Sequence, residues 1–213
     1  MFDISIIIKE LAIFSVPLLL GITCHEVAHG YVAYLLGDPT AKNAGRLTLN
    51  PLKHLDPIGT LVLILTRRIG WAKPVPINPA YFKNLRRDIL LVSLAGPAAN
   101  LVLALIFFLL FKLVNFLSPF FSTQLNQVVF APMGFIFSAG TLVNVILAVF
   151  NLIPIPPLDG SKIIASFLPS SFADKYMSLE KFGFLILIIL VFTGVFQKMF
   201  SVIVTFVYNL IFS

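Results

Sequence analysis

Residues 25–29 have the sequence HEVAH, in which two histidines and a glutamate have the spacing of a zinc site. On a helix, positions i and i+4 share a face, so the imidazoles of His25 and His29 can bind one Zn²⁺ at about 2.0–2.1 Å. Glu26 is turned about 100° from His25, so its carboxylate can reach a water on the metal without binding the metal itself. Zinc lowers the pKa of such a water to near 7, and the glutamate can take its proton. The pattern therefore predicts hydrolysis, most commonly of a peptide bond.

The same residues lie inside the apolar stretch Leu11–Leu36, which is long enough to cross a membrane with tilt. Each ionisable group at the centre of a bilayer costs about 2.5 kcal/mol or more on insertion scales. The alternative to a metal site is that the three side chains only form hydrogen bonds with neighbouring helices. A cluster of three needs a compensating partner, and a metal cation is the one that the pattern favours.

The composition places the whole chain in the membrane class. Of its 213 residues, 59% are hydrophobic and 11% are charged, whereas a soluble domain has about 45–50% apolar and about 25% charged residues. We expect a single intramembrane domain over residues 1–213. The net charge of +6 indicates membrane topology rather than nucleic-acid binding, since basic residues gather on the cytoplasmic side.

The apolar runs predict an all-α polytopic membrane protein with a core of three transmembrane helices. One or two further helices are expected at the C-terminal end, the first as a fourth span and the second as a short span or a helix on the membrane surface. The core runs are Leu11–Leu36, Ile89–Phe111 and Met133–Ile153, and the C-terminal runs are Phe182–Phe196 and Met199–Phe212.

Residues 38–88 contain nine of the fifteen basic residues, which predicts a cytoplasmic segment. Its apolar run Ile58–Thr66 is too short to span and is read as re-entrant or interfacial. Residues 45–51 alternate polar and apolar, and residues 73–79 contain three prolines. Both pieces predict a small re-entrant β or extended element between the first two core helices. This topology puts residues 25–29 towards the cytoplasmic end of the first span and Asp159 at the cytoplasmic end of the third.

A zinc site needs a third protein ligand, for which the sequence offers several side chains. Asp159 fits best, because it follows a helix end broken by prolines, lies at the same expected depth as residues 25–29, and precedes Gly160, which permits a tight turn. Its alternative role is to cap the helix that begins near Ser161. The other candidates and their simpler roles are His54 as a solvated histidine, Asp56 as a helix cap, Asp88 as an interfacial charge and Cys24 as a small buried residue.

Three motifs occur in the predicted core spans: HEVAH in the first span, GPAAN (96–100) in the second and NLIPIPPLDG (151–160) at the end of the third. Their combination resembles the site-2 protease family of intramembrane zinc metalloproteases. The segments GRLTLNPLKHLDPIGT and GWAKPVPINP also resemble the family, in particular its small bacterial and archaeal members without PDZ or CBS domains. The likeness covers roughly residues 15–165.

The resemblance implies a role for each matched residue. His25, His29 and Asp159 match the zinc ligands, Glu26 matches the catalytic glutamate, and Asn100 matches a residue that helps to hold the substrate backbone. It implies a multi-pass protein of a prokaryotic cell membrane, with its active site towards the cytoplasm. The partners expected are the lipid bilayer and the transmembrane segments of other membrane proteins, with no nucleic acid.

Two other classes of function compete with a protease. A metal-binding transporter or sensor would need no carboxylate that is not a ligand between its two histidines, and it would line a path with polar groups at several depths. The outer parts of the spans, such as Leu103–Phe111, are instead apolar. A catalytically dead scaffold is the third class, and the presence of all four core residues counts against it. Asn144 is expected to form a hydrogen bond between helices, with a role in the site as the alternative.

Overall fold

A computed structural model describes residues 4–66 and 70–212, with side chains for residues 12–63 and 70–211, and this part of the chain is mostly helical. The helices are α1 (Ile4–Leu35), α2 (Thr40–Asn43), α3 (Pro57–Thr66), α4 (Leu85–Leu117), α5 (Thr123–Leu125), α6 (Ala131–Asn151), α7 (Asp159–Phe167), α8 (Ser170–Met177), α9 (Glu180–Phe192) and α10 (Val195–Phe212). Short 3₁₀ turns occupy Pro51–Lys53, Pro79–Tyr81 and Ser118–Phe120, and a π-helical turn occupies Asn126–Phe130.

Three helical stretches are long and apolar enough to cross a membrane, which agrees with the three predicted core spans. They are Ala12–Leu35, Leu85–Phe120 and Thr123–Asn151, with 24, 36 and 29 residues. At about 1.5 Å per residue, each is at least as long as a bilayer core of about 30 Å. The protein is therefore a multi-pass membrane protein.

The C-terminal part forms one bent pair of helices. α9 and α10 pass the same test only together, and they meet at an angle of 69°. Between them, Gly194 has a φ of +78°, a conformation that glycine adopts without the steric cost that a side chain brings. The pair adds a fourth crossing if it acts as one broken span.

The prediction of a β element in residues 45–51 and 73–79 is wrong, since neither segment is part of a sheet. Within the described ranges there is no strand, and Leu55 and Ala72 form an isolated antiparallel bridge. Prolines 74, 76 and 79 remove the N–H donors that a ladder needs. In the segment 45–51, the Thr48 hydroxyl accepts from the Asn50 amide at 3.2 Å, and the Asn50 side chain accepts from the Leu52 amide at 3.1 Å. Such local bonds favour turns over strands.

A side chain joins the two pieces where we expected a β ladder. Arg46 is buried, with 7% of its surface exposed. Its Nη1 donates to the carbonyl of Pro74 at 3.2 Å, and its Nη2 donates to the carbonyl of Lys73 at 2.6 Å. The segment 73–78 is thus fixed in place without being part of a sheet, and its prolines favour extended geometry at the residues before them.

Asp38 fixes the far end of the same segment. It is fully buried, and its Oδ2 accepts from the Asn78 amide at 2.7 Å while its Oδ1 accepts from the amide and hydroxyl of Thr40. Burial alone would raise the pKa of this carboxyl, but the three donors hold the pKa below its usual range. An ionised Asp38 therefore joins the end of α1 to the segment 73–78.

The chain forms two compact units. The first comprises Met1–Gly21, Asn100–Ala148 and Ile186–Ser213, and its buried cluster contains Phe111, Val207 and Ile211. The second comprises Ile22–Ala99 and Val149–Leu185. Residues 25–29, the segment 73–78 and Asp159 all belong to the second unit.

Candidate metal centre

Two segments that are 130 residues apart in the chain meet in the second unit and bring three ligand atoms together. His25 Nε2 lies 2.9 Å from His29 Nε2 and 3.1 Å from Asp159 Oδ2, and His29 Nε2 also lies 3.1 Å from Asp159 Oδ2. All three residues are buried. Among the described side chains, this is the one group of three histidine, cysteine or acidic residues placed to hold a metal ion.

The geometry of this triangle fits zinc. In a tetrahedral site with bonds of about 2.0–2.1 Å, ligand atoms lie about 3.3 Å apart, a few tenths of an ångström more than the separations seen here. Two imidazoles and one carboxylate are among the usual zinc ligands, and catalytic zinc sites use three protein ligands. The residues present therefore suit a catalytic zinc ion.

Helix α4 orients one of the imidazoles from behind. His29 Nδ1 lies 2.7 Å from the Val92 carbonyl, a contact in which Nδ1–H donates and the Nε2 lone pair is left for a metal. One turn further along α4, a Cβ atom at Gly96 would lie 2.6 Å from both Nε2 and Cε1 of His25 and even closer to Nε2 of His29. Gly96 therefore lets α4 approach the two imidazoles closely.

Asp159 is positioned by the broken end of α6. Prolines at 154, 156 and 157 stop the helix, and Asp159 is the first residue of α7. A Cβ atom at Gly160 would collide with the carbonyls of Leu152 and Ile153. Gly160 is therefore required by close packing against the end of α6, whereas the sequence suggested that it permits a tight turn.

The two oxygens of Asp159 have separate partners. Oδ2 faces the two imidazoles, and Oδ1 lies 3.5 Å from Lys162 Nζ. Burial alone would raise the pKa of this carboxyl, but its hydrogen bonds to the two imidazoles and the positive charge of Lys162 hold its pKa well below its usual range. Asp159 is thus ionised at neutral pH, as a metal ligand must be.

Glu26 lies beside the triangle and is held by the segment 73–78. The Val75 amide donates to Glu26 Oε2 at 2.8 Å. Glu26 and the three candidate ligands line one cavity of about 640 Å³, together with apolar side chains such as Ile77 and Ile89. This volume lies within the range of about 300–1,000 Å³ that is typical of ligand sites.

The other candidate ligands lie outside the triangle. His54 is fully buried, which corrects the solvated histidine that we expected, and its Nε2 lies 2.9 Å from the Thr48 carbonyl. Asp56 accepts from the Gly59 amide at 2.8 Å, so its predicted role as a helix cap is confirmed. Asp88 is buried and accepts from the Asn84 amide at the start of α4. Cys24 is a free cysteine of intermediate burial.

Asn100 belongs to the first unit, where it is fully buried. Its side-chain nitrogen donates to the Gly21 carbonyl and to Asn144 Oδ1, both at 3.0 Å. The interhelical hydrogen bond that we predicted for Asn144 is therefore present.

Sequence reasoning missed several residues that position this site. Gly96 had a signal, because a glycine within a helix indicates a close approach by another group. Lys162 also had one, since it lies three residues after Asp159 on a helix. The Val92 carbonyl and the Val75 amide had none, because every residue type except proline carries the same backbone groups.

Comparisons with known proteins find relatives that are named as zinc metalloproteases. Residues 112–196 match peptidase family M50. The chain is 45% identical over 179 residues to YwhC of Bacillus subtilis, which is named as a zinc metalloprotease, with 82% of this chain and 78% of that protein covered. It is 32% identical over 186 residues to Rip2 of Mycolicibacterium smegmatis, also named as a zinc metalloprotease, with 85% and 67% covered. No solved structure gives a significant match.

A membrane protein with this cluster and these relatives is a zinc metalloprotease. The chain belongs to peptidase family M50, and its resemblance to the site-2 proteases is confirmed. Membership of a peptidase family favours the protease over the transporter or sensor considered from the sequence.

Proposed function

We propose that this protein is an intramembrane endopeptidase that hydrolyses peptide bonds in or near the transmembrane segments of other membrane proteins. The observation that carries the proposal is the triangle of His25, His29 and Asp159 with Glu26 in the same cavity. A ligand set and a free carboxylate together suit peptide hydrolysis, whereas metal storage or transport needs only the ligands.

In the proposed mechanism, His25, His29 and Asp159 hold Zn²⁺. When bound, zinc supplies Lewis acidity, which makes a water molecule easier to deprotonate and polarises the carbonyl of the scissile bond. Glu26 acts as general base, accepts a proton from the attacking water on its carboxylate and passes the proton to the leaving amine. The Val92 carbonyl keeps His29 in the tautomer that leaves Nε2 free.

The peptide bonds of a helix in lipid are hydrogen-bonded internally and shielded, so a substrate must be drawn into an extended form before it is cut. Ile77 suits this step, since it lines the cavity and, within the described residues, its backbone N–H and C=O have no partner. Asn100 is the second proposed contact for the substrate backbone. Its use requires that one of its donor hydrogens leave Gly21 or Asn144.

The proposed location is a prokaryotic cell membrane, with the site near the cytoplasmic face. Two features support this placement. The region 38–88 contains most of the basic residues of the chain, which are typical of cytoplasmic segments. Residues 25–29 lie in the C-terminal half of the span Ala12–Leu35, which is the half closer to this basic region.

The proposal is tested with the purified protein in liposomes and a single-span test substrate, with cleavage sites read by mass spectrometry. We expect cuts within or next to the transmembrane segment, loss of cleavage on chelation and recovery on addition of Zn²⁺. Helix-breaking residues placed in the substrate segment are expected to speed cleavage. Cuts confined to soluble loops of the substrate, or unaffected by chelation, would contradict the proposal.

Asp159→Ala is expected to lower zinc affinity by about 100-fold or more. Loss of a ligand is at least as costly as loss of a ligand's hydrogen-bond partner, which typically costs 10–100-fold. Zinc content is measured after dialysis against graded chelator. The matched control is Asp174→Ala, which removes an exposed carboxylate that lines the same cavity and should leave the zinc content unchanged. Full occupancy in Asp159→Ala would remove this residue from the ligand set.

A further inference from the structure

Arg46 is a buried cation that is held by backbone carbonyls. Its guanidinium donates to the carbonyls of Lys73 and Pro74, and among the described residues no carboxylate forms an ion pair with it. Burying a charge that is balanced only by backbone carbonyls is costly. A neutral side chain could hold two loops together at a lower cost, so the charge and the fork of Arg46 suggest a more specific role.

Val75, which follows Lys73 and Pro74 in the chain, binds the carboxylate of Glu26. Val75 donates its amide to Glu26 Oε2 at 2.8 Å. Prolines at 74 and 76 fix φ on both sides of Val75 and provide no N–H, so Val75 is the one amide donor between residues 73 and 77. The orientation of the Lys73 and Pro74 peptides therefore sets the direction of the Val75 N–H.

We propose that Arg46 is a positioning residue for Glu26 and acts through the backbone of residues 73–75. The inference rests on the proposed role of Glu26 as general base. The planar guanidinium binds two carbonyls in one fixed geometry, which a lysine ammonium cannot reproduce. Arg46 thereby holds the peptide chain so that the Val75 amide keeps the carboxylate of Glu26 in the direction that catalysis needs.

The kinetic test compares Arg46→Ala and Arg46→Lys with the parent protein. Since a misplacement of about 1 Å can cost about 100-fold in rate, we expect kcat of Arg46→Ala to fall by about 100-fold, with KM and zinc content nearly unchanged. Arg46→Lys should restore little of the loss. Arg87→Ala, which removes an exposed arginine at the start of α4, should behave as the parent does.

A double variant separates positioning of Glu26 from a general loss of stability. If Arg46 acts through Glu26, adding Arg46→Ala to Glu26→Gln should lower kcat no further, since residues that act as a unit are not additive. Multiplication of the two losses would overturn the inference. A rise in kcat in Arg46→Ala would also overturn it, because it would identify the segment 73–78 as a lid that Arg46 holds closed.

Hydrogen exchange tests the link between Arg46 and the Val75 amide without any cleavage reaction. The segment 73–79 has exchangeable amides only at Lys73, Val75, Ile77 and Asn78, since its other residues are proline. In Arg46→Ala, and in Arg46→Lys should the alanine variant not fold, we expect the Val75 amide to lose protection. The amides of Lys73 and Asn78 should keep theirs, because the His54 carbonyl and Asp38 hold them.

The exchange result distinguishes failure of this inference from failure of the proposed function. Unchanged protection at Val75 would overturn the role of Arg46 even if the parent protein cleaves transmembrane substrates. If Val75 loses protection in Arg46→Ala but the parent protein cleaves no such substrate, the proposed function is overturned and the structural link between Arg46 and Val75 stands.

Discussion

Glu26→Gln is expected to keep its zinc and to lose about 10²–10⁴-fold in kcat. General base catalysis contributes roughly 10²–10⁴-fold, and an amide cannot accept the proton. The substitution is close to isosteric, and its carbonyl oxygen can still accept the hydrogen bond that the Val75 amide gives to Glu26 Oε2. The segment 73–78 should therefore stay in place, so that the loss reports basicity rather than structure.

The measurement is single-turnover cleavage of a transmembrane substrate, with zinc content determined on the same preparation. His25→Ala is the matched comparison on the same helix, and it should lose zinc and activity together. Glu26→Gln that cleaves at the parent rate would assign the proton transfer to another group. Glu26→Gln that loses zinc would instead place Glu26 among the ligands.

Gly96→Ala is expected to weaken both zinc binding and cleavage strongly, although it adds only one methyl group to a helix that otherwise favours alanine. The new Cβ atom would lie 2.6 Å from His25 Nε2 and closer still to His29 Nε2, whereas carbon contacts are optimal at about 3.5–4.0 Å. Either the imidazoles or helix α4 must move by about 1 Å. Such a shift breaks the triangle, and we expect zinc affinity to fall by about 100-fold or more.

Two glycines of α6 provide controls for this substitution. At Gly134 the nearest atom to a new Cβ would be 3.9 Å away, on Phe111, so Gly134→Ala should be neutral or slightly stabilising. At Gly140 a Cβ would lie 2.5 Å from the ring of Phe107, so Gly140→Ala should lower the melting temperature through overpacking and keep its zinc. Zinc retained in Gly96→Ala would show that α4 can retreat from the imidazoles.

The membrane class and the core spans could be predicted because a bilayer imposes a simple requirement. A chain in lipid must satisfy its backbone groups internally and present apolar side chains over about 20 residues. Those constraints act on consecutive residues, so the runs near Leu11–Leu36, Ile89–Phe111 and Met133–Ile153 indicated helices that the structure contains. The predicted strands do not form, because local side-chain hydrogen bonds and the missing N–H groups of proline decide the conformation of such short segments.

The sequence by itself determined which side chains we propose for the chemistry of the site. The spacing of His25, Glu26 and His29 on a helix fixes which side chains share a face, and the cost of charge in lipid indicated a metal partner. The proline-broken end before Asp159 then pointed to the distant carboxylate, and the structure places Asp159 Oδ2 3.1 Å from both imidazoles.

Only the tertiary structure decided what surrounds these side chains. The approach of Gly96, the Val92 carbonyl behind His29, and the path from Arg46 through the 73–75 backbone to Glu26 all depend on how separate segments pack. Most of these contacts use backbone groups, which nearly every residue type carries, so residue identity does not predict them. Side-chain identity and spacing thus predicted the proposed ligands, while the packing of backbone against side chain set their orientation.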